Sequence, residues 1–232
     1  MKKILFVLIL FLIVAAGVFS NEVFFSTNTG TTQLIANLNS NGRVEGYSFM
    51  TIKDVSGDGS NMTIVYSIQV LDRNRRISNK VSEREYSIKI TDGIVELEIK
   101  NTMDSFFAAR GMNFNIVGDK LFLPSNIAAG SKMNNTWMKM TIKIPIIGEV
   151  IADVNITDVE CACIETVTVP AGTFEAYKIT QTTTTVTTGW PTPKIVNKGA
   201  TWYVKGIGMV KSVNYDDRGR IESSSELHEL KM

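Results

Sequence analysis

A chain of 232 residues carrying 24 Lys and Arg, 23 Asp and Glu and one His is close to electroneutral. That balance argues against nucleic acid as a partner, because such binding depends on clustered basic side chains. The length suffices for one domain whose core needs no disulfide support.

In chain order, Met1-Lys2-Lys3 precedes the apolar run Ile4 to Val18, with small residues at Ala15, Ala16 and Gly17. This is the pattern of a secretory signal peptide. Cleavage after Ser20 would put Val18 and Ser20 at the two positions that prefer small side chains and leave Asn21 as the new N-terminus. A retained membrane anchor is the rival reading, but the run is about 15 residues where a spanning helix needs roughly 20. No Cys follows it to accept a lipid. The expectation is a signal peptide over 1–20 and one domain over 21–232, periplasmic or secreted. Removing Lys2 and Lys3 from the 24 basic residues leaves 22 against 23 acidic ones.

Beyond the leader, hydrophobic residues recur mainly with period two. Asp54-Val55-Ser56-Gly57-Asp58-Gly59 begins like a calcium loop, but its twelfth position is Val65 and its flanks alternate, so it reads as a hairpin turn. Met62, Ile64, Tyr66, Ile68 and Val70 alternate with Thr63, Val65, Ser67, Gln69 and Leu71, the signature of a strand with one buried face. Arg73-Asn74-Arg75-Arg76 reads as a solvated turn. Tyr86, Ile88 and Ile90 lead through Asp92-Gly93 to Val95, Leu97 and Ile99, a strong hairpin signal because both turn residues tolerate positive φ. A short helix is expected from Thr102 to Arg110, then an irregular excursion to Thr136 with a second short helix near Asn126 to Ala129.

Met138, Met140, Ile142 and Ile144 alternate with Lys139, Thr141 and Lys143. Val150 to Thr157, Cys161 to Val169 and Thr173 to Thr188 are rich in β-branched residues. Trp190-Pro191-Thr192-Pro193 forces a loop. Ala200 to Tyr215 and Arg218 to Leu230 form a last strand pair around Asp216-Asp217-Arg218-Gly219. The expected fold is mainly β: a single antiparallel curved sheet or half-barrel with one or two short helices, a barrel or sandwich being the neighbouring options.

Chemistry has few residues to run on. His228, four residues from the end, reads as a solvent-facing strand residue, and no Gly-x-Ser-x-Gly elbow is present. Cys161 and Cys163, two apart on a strand, are expected on one face. Their Cα atoms would be roughly 6.5 Å apart, near the upper limit for a bridge, so two buried thiols or a strained disulfide are both open. Neither a metal set nor a cofactor cradle is found. Glu160, Glu165 and Glu175 read as solvent-facing carboxylates and not as a glycosidase pair. The protein is therefore expected not to be an enzyme.

The C-terminal third carries Val167-Thr168-Val169-Pro170-Ala171-Gly172-Thr173-Phe174-Glu175-Ala176-Tyr177-Lys178, then Thr201-Trp202-Tyr203-Val204-Lys205-Gly206-Ile207-Gly208-Met209-Val210-Lys211. The pair resembles an exported bacterial family known as a domain of unknown function, which in turn is similar to lipoprotein carriers of the LolA/LolB type. The resemblance implies a curved half-barrel with a concave apolar face and carries no catalytic residues. Pro170-Ala171-Gly172 reads as a tight turn, and Gly206 and Gly208 as bulge or close-approach positions. The expected function is to bind a lipid, another apolar ligand or an envelope component in a groove lined by Met138, Met140, Ile142, Ile144, Trp202 and Met209. The alternative is an envelope module that presents its edge strands, or the Arg110 to Thr136 excursion, to a protein partner.

Overall fold

The computed structural model describes residues 23–77, 83–97, 113–144, 148–188 and 193–232. Among these described residues thirteen strands form one antiparallel sheet: β1 (Thr32–Asn39), β2 (Val44–Asp58), β3 (Asn61–Asp72), β4 (Arg84–Thr91), β5 (Ile94–Leu97), β6 (Asn113–Gly118), β7 (Leu121–Pro124), β8 (Thr136–Ile144), β9 (Gly148–Val169), β10 (Gly172–Thr188), β11 (Lys194–Val204), β12 (Gly208–Tyr215) and β13 (Ile221–Lys231). Their order is β6-β8-β9-β10-β11-β12-β13-β1-β2-β3-β4-β5-β7. The alternating runs are strands with the expected burial: Ile64 and Tyr66 of β3, and Tyr86, Ile88 and Ile90 of β4, point into the core.

Asp92 (φ 51°) and Gly93 (φ 75°) make the β4–β5 turn. The Asp54 to Gly59 stretch runs along β2 into the turn before β3. Three other hairpin turns share one geometry. Asn39, Asp72 and Asp216 each donate their N–H to the carbonyl of an Arg four residues on, and the side-chain Oδ1 of each accepts from the N–H groups two and four residues on. The fourth position of each is left-handed: Gly42, Arg75 and Gly219. This is the three-residue hairpin loop with a bulge, closed by an Asx side chain.

The excursion between Arg110 and Thr136 holds the two edge strands of the sheet, β6 and β7, and turns instead of a helix at Asn126 to Ala129. The helix expected from Thr102 to Arg110 lies outside the described residues. Only Asp119-Lys120 joins β6 to β7, so Gly118 and Leu121 are at most about 11 Å apart. The sheet must curl until its ends meet there. Asp119 N–H donates to Trp137 O of β8 (3.0 Å), while Lys120 Nζ reaches Glu96 Oε2 of β5 (2.7 Å). The sheet is open as a ladder and clasped by two residues.

Curling encloses the main core, where Ile52, Ile64, Ile88, Ile90 and Val95 from one flank meet Met138, Val154, Ile156, Val159 and Cys161 from the other. A second cluster, with Val167, Ala176, Trp202, Val210 and Leu227, lies at the β9–β10 turn, whose Ala171 N–H donates to Leu227 O of β13 (3.2 Å).

Candidate functional site

The two motifs converge. Tyr177 pairs with Tyr203 and Lys178 with Trp202, in register between β10 and β11. Because side chains alternate across a strand, the tyrosines share one face and the Lys–Trp pair the other.

The tyrosine face is filled by the chain's own N-terminal segment. Val23 and Phe24 are 0% and 1% exposed, and Ser26 is buried. Phe24 meets Tyr177 edge-on at 4.9 Å between centroids and Tyr203 at 6.3 Å, while Phe25 meets Tyr66 of β3 at 5.4 Å. Gly206 N–H donates to Val23 O (2.8 Å), and Gly208, at φ +110°, lies against the Phe24 carbonyl. Gly208 is favoured by its backbone conformation and not by a close approach, since a Cβ there would stand in ordinary contact with Phe24 O at 3.6 Å, and Gly206, at φ 72°, turns the chain between β11 and β12. Gln33 Nε2 fastens the same turn by donating to Ile207 O (2.8 Å). Lys205 Nζ sits 5.9 Å from the Phe24 ring centre and 5.6 Å from that of Tyr177. Burial pushes the Tyr203 phenol up to about 12.

On the opposite face, Trp202 Nε1–H donates to Glu165 Oε1 (2.7 Å), and Lys178 and Lys211 stand over the indole at 5.0 and 5.3 Å. Glu165 also pairs with Lys178 Nζ (3.5 Å). The Trp202 hydrogen bond is the main reason that the Glu165 carboxyl lies below its ordinary value.

The expected groove residues do not line one surface. Met138 lies in the main core, and Met140 and Ile142 pack with Phe114, Ile116 and Ala152 in a small cluster beside it. Trp202 belongs to the second cluster, on the other sheet face, and Met209 is half-buried opposite Tyr203. Ile144 pairs with Gly148 through its backbone. An apolar cavity between Leu123, Met133, Ile179 and Tyr203 holds about 20 Å³. A larger, open cleft of about 390 Å³ is bordered by Asp158, Glu160, Lys178, Lys198, Ala200 and Tyr215.

Two sequence expectations change. His228 is half-buried against Tyr47 (5.6 Å between centroids) instead of facing solvent, and its Nδ1 has no partner among the described residues. Cys161 is buried and Cys163 half-buried, both free, on opposite faces. Among the described residues no three of His, Cys, Asp and Glu gather as metal ligands.

Sequence reasoning gave the outer surface of the clasp little weight. Val117 of β6, Trp137 of β8 and Phe122 of β7 are 58%, 45% and 42% exposed. Val117 lies diagonally across from Trp137, since it pairs with Lys139. Trp137 at an outward position among Lys139, Thr141 and Lys143 was the available signal.

A family model described as DUF3108-like matches residues 28–227. No curated protein matches the chain. Two solved structures share the fold. A protein from Bacteroides fragilis NCTC 9343, described as exported and of YmcC-like fold, aligns at TM-score 0.72 and 20% identity over 91% of this chain and 100% of that one. A protein from Parabacteroides distasonis ATCC 8503, described as a lipoprotein, aligns at 0.73 and 22% over 90% and 99%.

Proposed function

The chain belongs to the DUF3108-like family, and on that premise we propose that it is an exported, non-enzymatic envelope protein that works by presenting its clasped sheet edges to a protein partner. One observation carries this reading: the apolar surface sits outside, at Val117, Trp137 and Phe122, while the concavity is occupied by Val23 to Ser26. Edge strands offer main-chain groups to an added strand, and exposed apolar side chains beside them supply the contact area. The export reading rests on the leader pattern of residues 1–20, and the descriptions of the two structural relatives agree with it.

The rival is an apolar ligand held in the half-barrel, as the likeness to lipoprotein carriers implies. Small-molecule pockets run to about 300–1,000 Å³, whereas the interior cavity bounded by Leu123, Met133, Ile179 and Tyr203 holds about 20 Å³. That contrast puts the interaction reading ahead.

The test is in-cell photocrosslinking from position 117, with native mass spectrometry of residues 21–232. The expected result is a discrete protein adduct that Trp137→Lys abolishes, and a clean apo mass. No adduct, or one indifferent to Trp137→Lys, would overturn the reading. A reproducible bound mass released by organic solvent would restore the ligand.

A further inference from the structure

We propose that the cradle formed by Tyr66, Tyr177, Tyr203, Lys205 and Gly206 is a peptide-binding site for short, bent segments with two adjacent aromatic residues, and that Val23–Ser26 is its built-in occupant. The cradle is independent of the clasp surface.

Three features set this segment apart from ordinary core. First, it joins no ladder of the sheet. The main-chain bond that ties it to the cradle is Gly206 N–H to Val23 O. Second, its two rings are read separately: Phe24 lies against Tyr177 and Tyr203 of β10 and β11, and Phe25 against Tyr66 of β3. The chain bends at Phe24 and Phe25, and the two adjacent rings turn to different walls of the cradle. Third, the Lys205 ammonium covers the Phe24 and Tyr177 rings and has no carboxylate partner among the described residues. Lysine is rarely placed against a core unless paired, and here the partner is the face of the ring that fills the site.

The occupant is also attached in a way that permits release. Asn28, Thr29 and Gly30 are exposed, and firm pairing resumes where Gly30 N–H meets Ile52 O. A segment tethered by so short a link competes at high effective concentration, so a free peptide sees the cradle only when the tether is disabled.

The experiment uses the whole mature chain, residues 21–232, and a fluorescent peptide with the sequence Asn21 to Thr29. Phe24→Asp in the protein expels the tethered segment. The variant is expected to bind the peptide at least tenfold more tightly than the unsubstituted protein, and adding Tyr177→Ala should reverse the gain. The same peptide with Asp in place of its first Phe should not bind. A folded Phe24→Asp protein that binds no better would overturn the proposal. Should that variant not fold, hydrogen exchange on the unsubstituted protein decides. The Gly206 amide should exchange through a local opening faster than the Ile179 amide of β10, and exchange of both only by global unfolding would make the segment plain core.

Discussion

Cys161 and Cys163 stand two residues apart on β9 and face opposite sides of the sheet. The cause is a bulge: Ile179 pairs with Cys161 and Lys178 with Cys163, so Ala162 is an extra residue and the alternation slips by one. Cys161 enters the core, and Cys163 joins Glu165 and Lys178 on the far face.

No disulfide is expected between them. Burial raises the thiol pKa of both, with Cys161 next to Cys163 and Cys163 next to Glu165 raising them further. Thiolate is therefore scarce near neutral pH. Alkylation followed by mass spectrometry should label Cys163 slowly in the native protein, faster at higher pH, and Cys161 only in denaturant. A native mass two hydrogens short, mapped to this pair, would contradict the bulge.

The bulge shows where sequence reading stops. Met62 to Val70 declared a strand because burial on one face writes period two into the residues, and Asp92-Gly93 declared its turn because positive φ selects those types. Ala162 carries no such mark. The clasp at Asp119-Lys120 was not legible either, since it depends on eleven strands between β6 and β7 curling by the right amount. The glycines of the second motif were correctly read as backbone positions, but the segment they face, Phe24-Phe25, is about 180 residues away and outside any alternation. The common Asn/Asp…Arg spacing of Asn39–Arg43, Asp72–Arg76 and Asp216–Arg220 was visible in the letters and would have placed three hairpins at once.

Asp216 tests that turn. Its carboxylate accepts from Arg220 and Arg218 N–H and from the Arg220 side chain, and the Arg220 backbone bond is the main reason its pKa lies below the ordinary value. A lowered carboxyl pKa gives stability that is complete above the unfolded value, near 3.9, and is lost as pH falls through the folded one. Asp216→Asn, which keeps the Oδ1 acceptor but loses the charge, should lower the neutral-pH melting temperature by the share the charge supplies and flatten its fall below about pH 4. Asp216→Ala, which loses the acceptor too, should lower it further at neutral pH. Equal losses from both would mean that the charge, and not the Asx acceptor, holds the turn.

Tyr203 should ionise late. Parts of the residue are accessible, but the phenol end is enclosed, and burial pushes it to about 12. Its acid form is favoured by folding, so its contribution is complete below about 10, the unfolded value, and is lost as pH rises toward 12. Ultraviolet titration should show a late phenol that is absent in Tyr203→Phe. A folded protein whose titration curve is the same with and without Tyr203→Phe above about pH 11 would place Tyr203 in water.

Gly118 ends β6 where the sheet closes on itself. A Cβ there would collide with Trp137 O and with Cα and Cβ of Met138, and the first two are backbone atoms that cannot swing aside. The Gly118 φ is not left-handed, so the cost of Gly118→Ala is steric and not conformational. Forcing a methyl into so close a contact costs about 1–3 kcal/mol. The strain falls beside the Asp119 N–H to Trp137 O bond, one half of the clasp. Denaturant unfolding should show that loss, and the Asp119 amide should lose hydrogen-exchange protection by more than the global change accounts for. Breaking the other half with Lys120→Met removes an ion pair to Glu96, whose carboxyl is held below its ordinary value mainly by that lysine. Exposed pairs contribute about 0–1 kcal/mol, so Lys120→Met should cost less than Gly118→Ala. If the order is reversed, the Lys120–Glu96 pair and not the backbone bond keeps the edges together.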